Sequence, residues 1–167
     1  MKKLMAIDPG TTESGWVEVE HDGKTIIRVL DKGKSRNEEI LRRLYYMVGT
    51  HDIAIEMVAS YGMPVGREVF ETCVWIGRFL QAAAILPGHT AEHLVYRMEE
   101  KSRICHSGKA NDSTIRHALV DMFAPGQKNY GKGTKKAPGF FYGFGEDVWQ
   151  AMAVAVTWVD RQKGDKC

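Results

Sequence analysis

The sequence predicts a single α/β domain built on a mixed five-stranded sheet flanked by helices. Three observations predict it. Residues 3–8, 14–20 and 25–30 read as successive strands. A helical period beginning at Ile40 leads straight into a short apolar run at 51–58, the order that a parallel crossover requires. Helical periods then fill most of the remaining chain, and 167 residues suffice for one sizeable core.

The first run, 3–8, stops at the turn signal Pro9-Gly10, and 14–20 alternates Trp16, Val17 and Val19 with polar residues. Asp22-Gly23 marks a hairpin, and Thr25, Ile26, Ile27 and Val29 give 25–30 its β-branched character. After a connection at 31–35, Ile40, Leu41, Leu44, Met47 and Val48 recur at helical spacing, with Ser35 or Asn37 as the cap. The run 51–58 is short and largely apolar, as a strand buried on both faces should be. A loop with Gly62, Pro64 and Gly66 precedes a second helix carrying Val69, Phe70, Cys73, Ile76, Leu80 and Ala83 on one side and ending near Pro87-Gly88. Residues 93–97 make a short fifth strand. Residues 109–123 form a helix capped by Asn111 or Asp112, a Gly- and Lys-rich stretch at 125–145 reads as a mobile basic loop, and 146–161 is a helix apolar nearly all round. The whole chain, 1–167, is read as one domain.

Hydrophobic residues at 44% and charged residues at 26% describe an ordinary globular chain. No apolar run reaches membrane-spanning length, and the amino-terminal residues lack the pattern of a secretory signal, so a cytoplasmic protein is expected. Cys73, Cys105 and Cys167 are odd in number and widely spaced, which argues against a disulfide framework or a zinc knuckle. The six histidines show no metal-ligand spacing. Charge is unevenly placed: residues 97–136 sum to +5 and the rest of the chain to −3, the pattern of one edge that meets a polyanion and another that holds carboxylates. Arg103, Lys109, Lys128, Lys132, Lys135 and Lys136 are the candidate phosphate contacts. In the glycine-interleaved stretch from Lys128 to Lys136, backbone amides and ammonium groups both have access to phosphate.

Three acids carry the chemistry: Asp8 at the end of the first strand, Glu56 at the end of the fourth and Asp147 opening the last helix. If the first and fourth strands are neighbours, Asp8 and Glu56 share one end of the sheet and Asp147 caps it. Gathered carboxylates suit two Mg²⁺ or Mn²⁺ ions and hydrolysis of a phosphodiester. Each acid also has a structural reading. Asp8 could shape an Asx turn, and Asp147 or Glu146 could serve the start of the helix. Glu56, inside an apolar strand, is the hardest to explain without function.

Met5-Ala6-Ile7-Asp8-Pro9-Gly10 with Gly15-Trp16, then Ala54-Ile55-Glu56, then residues 145–157, in that order and spacing, resemble the RuvC-type Holliday junction resolvases of the ribonuclease H superfamily. Lys132-Gly133-Thr134-Lys135-Lys136-Ala137-Pro138-Gly139 resembles their phage and prophage branch. The resemblance implies a ribonuclease H-like fold, metal-dependent cleavage of branched DNA such as four-way junctions, and Asp8, Glu56 and Asp147 as metal ligands, with Glu146 as a further candidate. It also implies Lys101 near the scissile phosphate and Tyr61 as a base-stacking wedge. Two departures stand out. Gln150 replaces a second helix acid, and Asp112 stands where a second lysine is expected, with Lys109 as a substitute. A homodimer is expected, because symmetric cutting of a four-way junction needs two sites; the helix at 68–84 is its candidate interface. Two other readings remain. One is a branched-DNA-binding module without full metal binding, signalled by Gln150. The other is an actin-like phosphate-binding fragment, suggested by Asp8-Pro9-Gly10-Thr11-Thr12 but lacking a second D-x-G repeat.

Overall fold

Strand pairing decides the architecture, and the computed structural model describes it for residues 1–60, 62, 64–85 and 88–164. Strands β1 (Lys2–Asp8), β2 (Glu13–His21) and β3 (Ile26–Arg36) form an antiparallel meander. Helix α1 (Asn37–Met47) then crosses to β4 (Asp52–Met57), which runs parallel to β1. Helices α2 (Arg67–Ala82) and α3 (Thr90–His93) lead to β5 (Leu94–Tyr96), parallel to β4. Helices α4 (Arg97–Cys105) and α5 (Asp112–Phe123), a 3₁₀ turn at Asn129–Gly131 and α6 (Glu146–Gly164) complete the chain. The sheet order is β3-β2-β1-β4-β5, so the mixed five-stranded sheet with flanking helices is as the sequence predicts. Among the described residues no helix is long and apolar enough to cross a membrane.

Side chains alternate across a strand, and this sorts the core into two layers. Leu4, Ala6, Val17, Val19, Ala54 and Val95 face α6. Met5, Ile7, Trp16, Ile53 and Ile55 face α1 and α2. Helix α6 is buried almost all round because the sheet covers one side and α4 and α5 the other.

Three local expectations need correction. Strand β3 runs on through 31–36, where the sequence predicts a connection: these residues pair in unbroken register with Glu13 to Glu18 of β2, Trp16 donates its indole N–H to Ser35 Oγ at 3.1 Å, and its ring lies against Gly33. Ser35 is therefore no helix cap, and Asn37 caps nothing either. It is fully buried, accepts from the Ser14 hydroxyl at 2.6 Å and donates to Gly10 O at 3.0 Å, which fixes the turn after Asp8. Helix α2 turns in most of its expected face, with Ile76 buried and Leu80 and Ala83 packed against the core, but not all of it. Thr72, Ile76, Phe79 and Ala82 point inward, and Phe70 is 61% exposed. Residues 97–105, which show no apolar period, are helical. Asn111 does cap α5, accepting from Thr114 N–H at 2.9 Å.

The basic stretch at 125–145 is held at its end by aromatic packing that composition hid. Phe141 and Phe144 are buried, and Phe141 lies 4.4 Å from the Trp149 ring, centroid to centroid. A small bridge between Gly133 and Pro138 folds Lys132, Lys135 and Lys136 into a hairpin tip.

Gly15 admits the start of α6 to the sheet: a Cβ there would lie 2.4 Å from Asp147 O and 2.7 Å from Asp147 Cβ. Gly15→Ala should destabilise by about 1–3 kcal/mol through overpacking. Gly77, mid-helix with open space around it, should tolerate alanine and gain up to about 1 kcal/mol. Thermal melts of the two variants should move in opposite directions.

Candidate active site

The register builds the site. Lys34 of β3 lies opposite Gly15 of β2, Gly15 opposite Asp8 of β1, and Glu56 of β4 opposite Val95 of β5. Because Ile7 pairs in parallel with Ile55, Asp8 comes beside Glu56. Asp8 follows Leu4 and Ala6 in parity, and Glu56 follows Ala54, so both carboxyls fall on the α6 face, at the point where α6 begins. The ends of three parallel strands, β1, β4 and β5, meet there.

Asp8 and Glu56 are close enough to share a hydrogen bond. Burial, then the charge and hydrogen bond of Glu56 and the charge of Asp147, push the Asp8 carboxyl up to about 8, against the pull of Arg97. Burial also raises Glu56, while the hydrogen bond from Asp8 and the charge of Arg97 oppose it. A proton between two like carboxylates, or a cation, relieves the same repulsion. Asp147, in the first turn of α6, contributes charge from the flank, with its carboxylate 3.1 Å from Lys34 Nζ.

The opposite flank belongs to Arg97, the first residue of α4. Its guanidinium donates to Glu100 and to Asp112. Glu100 is completely buried, and burial and the charge of Glu56 push it up to about 9, against Arg97. Its second oxygen, Oε1, has no hydrogen-bond partner.

The remaining predicted residues scatter. Glu146 is exposed and turned to Arg116 at 3.3 Å. Lys101 is half-buried on α4, four residues after Arg97 and so on the same helix face. Arg103 lies on another side of α4, bonded to Asp160 at 3.2 Å and facing Glu99. Lys109, Lys128, Lys135 and Lys136 are exposed and Lys132 is half-buried. Tyr61 lies outside the described residues. The sequence reading missed Lys34, Arg97 and Glu100 as parts of this edge. The place of Arg97, one residue past a parallel strand, is the signal that could have found it.

Among the described residues no three His, Cys, Asp or Glu side chains are gathered closely enough to hold an ion, since Asp147 is turned to Lys34. The donor chemistry nonetheless fits a hard divalent cation. Asp8 and Glu56 offer paired oxygens whose repulsion such a cation would relieve, and Glu100 adds an unsatisfied buried oxygen beside them.

This sheet order and its helices define a ribonuclease H-like fold. Thermus thermophilus RuvC shares it: one structure superposes with a TM-score of 0.66 at 19% identity, covering 96% of both chains. A second, of T. thermophilus RuvC in complex with a Holliday junction substrate, gives 0.63 at 18% identity, covering 94% of this chain and 92% of that one. No protein-family model and no curated protein matches the sequence.

In EDTA, the raised carboxyls make folding favour their protonated forms. For Asp8 that contribution is whole below its ordinary value near 3.8 and is lost as pH rises through about 8. The wild-type melting temperature should therefore fall across this window. Asp8→Asn should flatten the fall and melt above wild type at pH 8.5. A wild-type melting temperature that rises over the same range would contradict the assignment.

Proposed function

We propose that this chain is a metal-dependent endonuclease that hydrolyses phosphodiester bonds in branched DNA, with four-way junctions as the substrate. The observation that carries the reading is the in-register meeting of Asp8 and Glu56 at the carboxyl ends of two neighbouring central strands of a ribonuclease H-like sheet. The RuvC complex with a Holliday junction substrate supports the choice of DNA, through a shared fold. Fold alone does not select a substrate, so the site and the charge distribution must.

Asp8 and Glu56 would hold two Mg²⁺ or Mn²⁺ ions, with Asp147 as the third carboxylate. Bound there, such ions would supply activation of a water and neutralisation of charge on the phosphate and the leaving oxygen. Lys34 would keep Asp147 oriented until the ions take over its charge. Lys101 supplies a cation on the face of α4 that it shares with Arg97. The basic hairpin at 132–138 runs into the acidic start of α6 through Phe141 and Phe144, which anchor it. A duplex arm gripped by Lys132, Lys135 and Lys136 would so be held near the carboxylates.

Two sites are needed for paired cuts, and a second copy of this chain supplies the other in a two-fold dimer. The apolar side chains exposed on α1 and α2, Tyr45, Tyr46, Phe70 and Val74, are the surface on which that copy would pack.

A second reading has one observation in its favour: Asp147 faces Lys34, and half-buried Gln150 stands one turn further along α6. A binder with incomplete metal affinity would hold junctions without nicking them in Mg²⁺ or Mn²⁺.

Cleavage of labelled four-way junctions separates the two. Asp8→Asn and Glu56→Gln should each lower the cleavage rate by at least about 10³-fold, a loss of the size that electrostatic catalytic groups typically cause, and leave junction binding nearly intact. Full cleavage by both variants would end the nuclease reading. Replacing Lys132, Lys135 and Lys136 by alanine should weaken binding on every branched substrate and lower the slope of log K against log salt by roughly one for each lysine that meets a phosphate.

A further inference from the structure

Arg97 is the one side chain at this edge whose setting exceeds what a structural ion pair requires. It begins α4 immediately after β5, the strand that sets Val95 beside Glu56. Its guanidinium is held from two directions, by Glu100 three residues later in α4 and by Asp112 at the start of α5. The three side chains differ sharply in depth: Arg97 is 19% exposed, Glu100 0% and Asp112 58%. A clamp with its fixed jaw buried and its other jaw at the surface leaves the guanidinium at the mouth of the site.

Helix stability does not account for this arrangement. A buried ion pair is commonly no more stable than apolar side chains of the same volume, and here one oxygen of Glu100 is left without a partner as well. What the clamp provides is a guanidinium whose direction is set before a ligand arrives. Five N–H donors sit on that group, and two contacts leave others available for a further anion with two accessible oxygens. Arg97 also acts electrostatically on both Asp8 and Glu56, so it stands within reach of whatever those acids act upon. On the far flank Lys34 is engaged by Asp147. On this flank the fixed cation is Arg97.

We propose that Arg97 contacts the non-bridging oxygens of the phosphate that is cut, and that Glu100 and Asp112 are the positioning residues that aim it. This rests on the nuclease reading above. Arginine suits the task better than lysine, because its fork matches two phosphate oxygens while still bonding to a carboxylate. The anionic ester must approach a pocket of acids, and a cation fixed beside them offsets the repulsion at the atoms that matter.

The test couples Arg97 to that single phosphate. The cut position is first mapped with wild-type protein, and junctions are then made with a neutral methylphosphonate at that position. Affinities for the two junctions are compared in Ca²⁺ for wild type, Arg97→Gln, Arg97→Lys and Glu100→Gln. Beyond a loss common to all variants, set by Ca²⁺ contact with the same phosphate, wild type should lose about tenfold more on the neutral linkage than Arg97→Gln, the signature of an interaction already removed. Glu100→Gln should fall between them, at about threefold, a change that a purely structural role would not produce. Arg97→Lys keeps the charge beside Glu100 and guards against a variant that fails to fold; it should cut at least tenfold more slowly than wild type in single turnover, with junction affinity within about threefold. An Arg97→Gln protein as sensitive to the methylphosphonate as wild type overturns the proposal, as does wild-type cleavage by a folded Arg97→Lys. If wild type cuts junctions but no coupling to Arg97 exists, only this inference fails. If wild type neither binds nor cuts branched DNA in Mg²⁺ or Mn²⁺, the functional reading fails and takes this inference with it.

Discussion

Two carboxylates lie side by side at the end of the sheet because strand register and side-chain parity leave them no other place, and the rest of the site answers their repulsion. Like charges about 4 Å apart interact by roughly 4 kcal/mol at an effective dielectric of about 20, a large share of the net stability of a domain, which is about 5–15 kcal/mol. The fold cannot leave such a pair fully charged and alone. It raises the Asp8 and Glu56 carboxyls toward their protonated forms and sets Arg97 on the β5 side and Lys34 beyond Asp147 on the β3 side. A divalent ion would relieve the same repulsion, which is the ground for the proposed metal role of the pair.

Several details of the fold serve that one arrangement. Gly15 lets the backbone of Asp147 approach the sheet, and no larger residue would leave that space. Buried Asn37 ties the turn after Asp8 to β2 and α1 through Ser14 and Gly10. Phe141, tilted, and Phe144, edge-on, pack against Trp149, so the basic hairpin and the first turn of α6 are parts of one packed unit. The basic stretch is thereby tied to the helix that carries Asp147, which the uneven charge along the chain alone could not establish.

Much of this was legible in the sequence, for identifiable reasons. Asp8 and Glu56 close short apolar runs, and the helix between those runs implies a parallel crossover, so adjacency follows from chain order. Asp147 is legible as the acid that opens a helix apolar on nearly every side. Other features were hidden because they depend on pairing or on depth rather than on type. The extension of β3 through 31–36 is set by its partner β2 and by the Trp16 contacts with Gly33 and Ser35. The inward face of α2 turns on Thr72 and Phe79 instead of Phe70, because α1 and the sheet decide which stripe is covered. Glu100 sits in a run of charges that reads as a solvated face, yet it is wholly buried. Arg97 and Lys34 look like ordinary surface cations until the register brings them to the same edge.

The central claim is that the fold forces Asp8 and Glu56 into one electrostatic unit that a divalent cation completes. Carboxyl-carbon NMR titration of the two side chains, in EDTA and then in Mg²⁺, reads this directly. The account predicts a proton retained on the pair to about pH 8 in EDTA, and its loss near or below the ordinary carboxyl range of about 4 once Mg²⁺ is added. Two independent titrations near 4 that ignore Mg²⁺ would show that the two acids do not share a site.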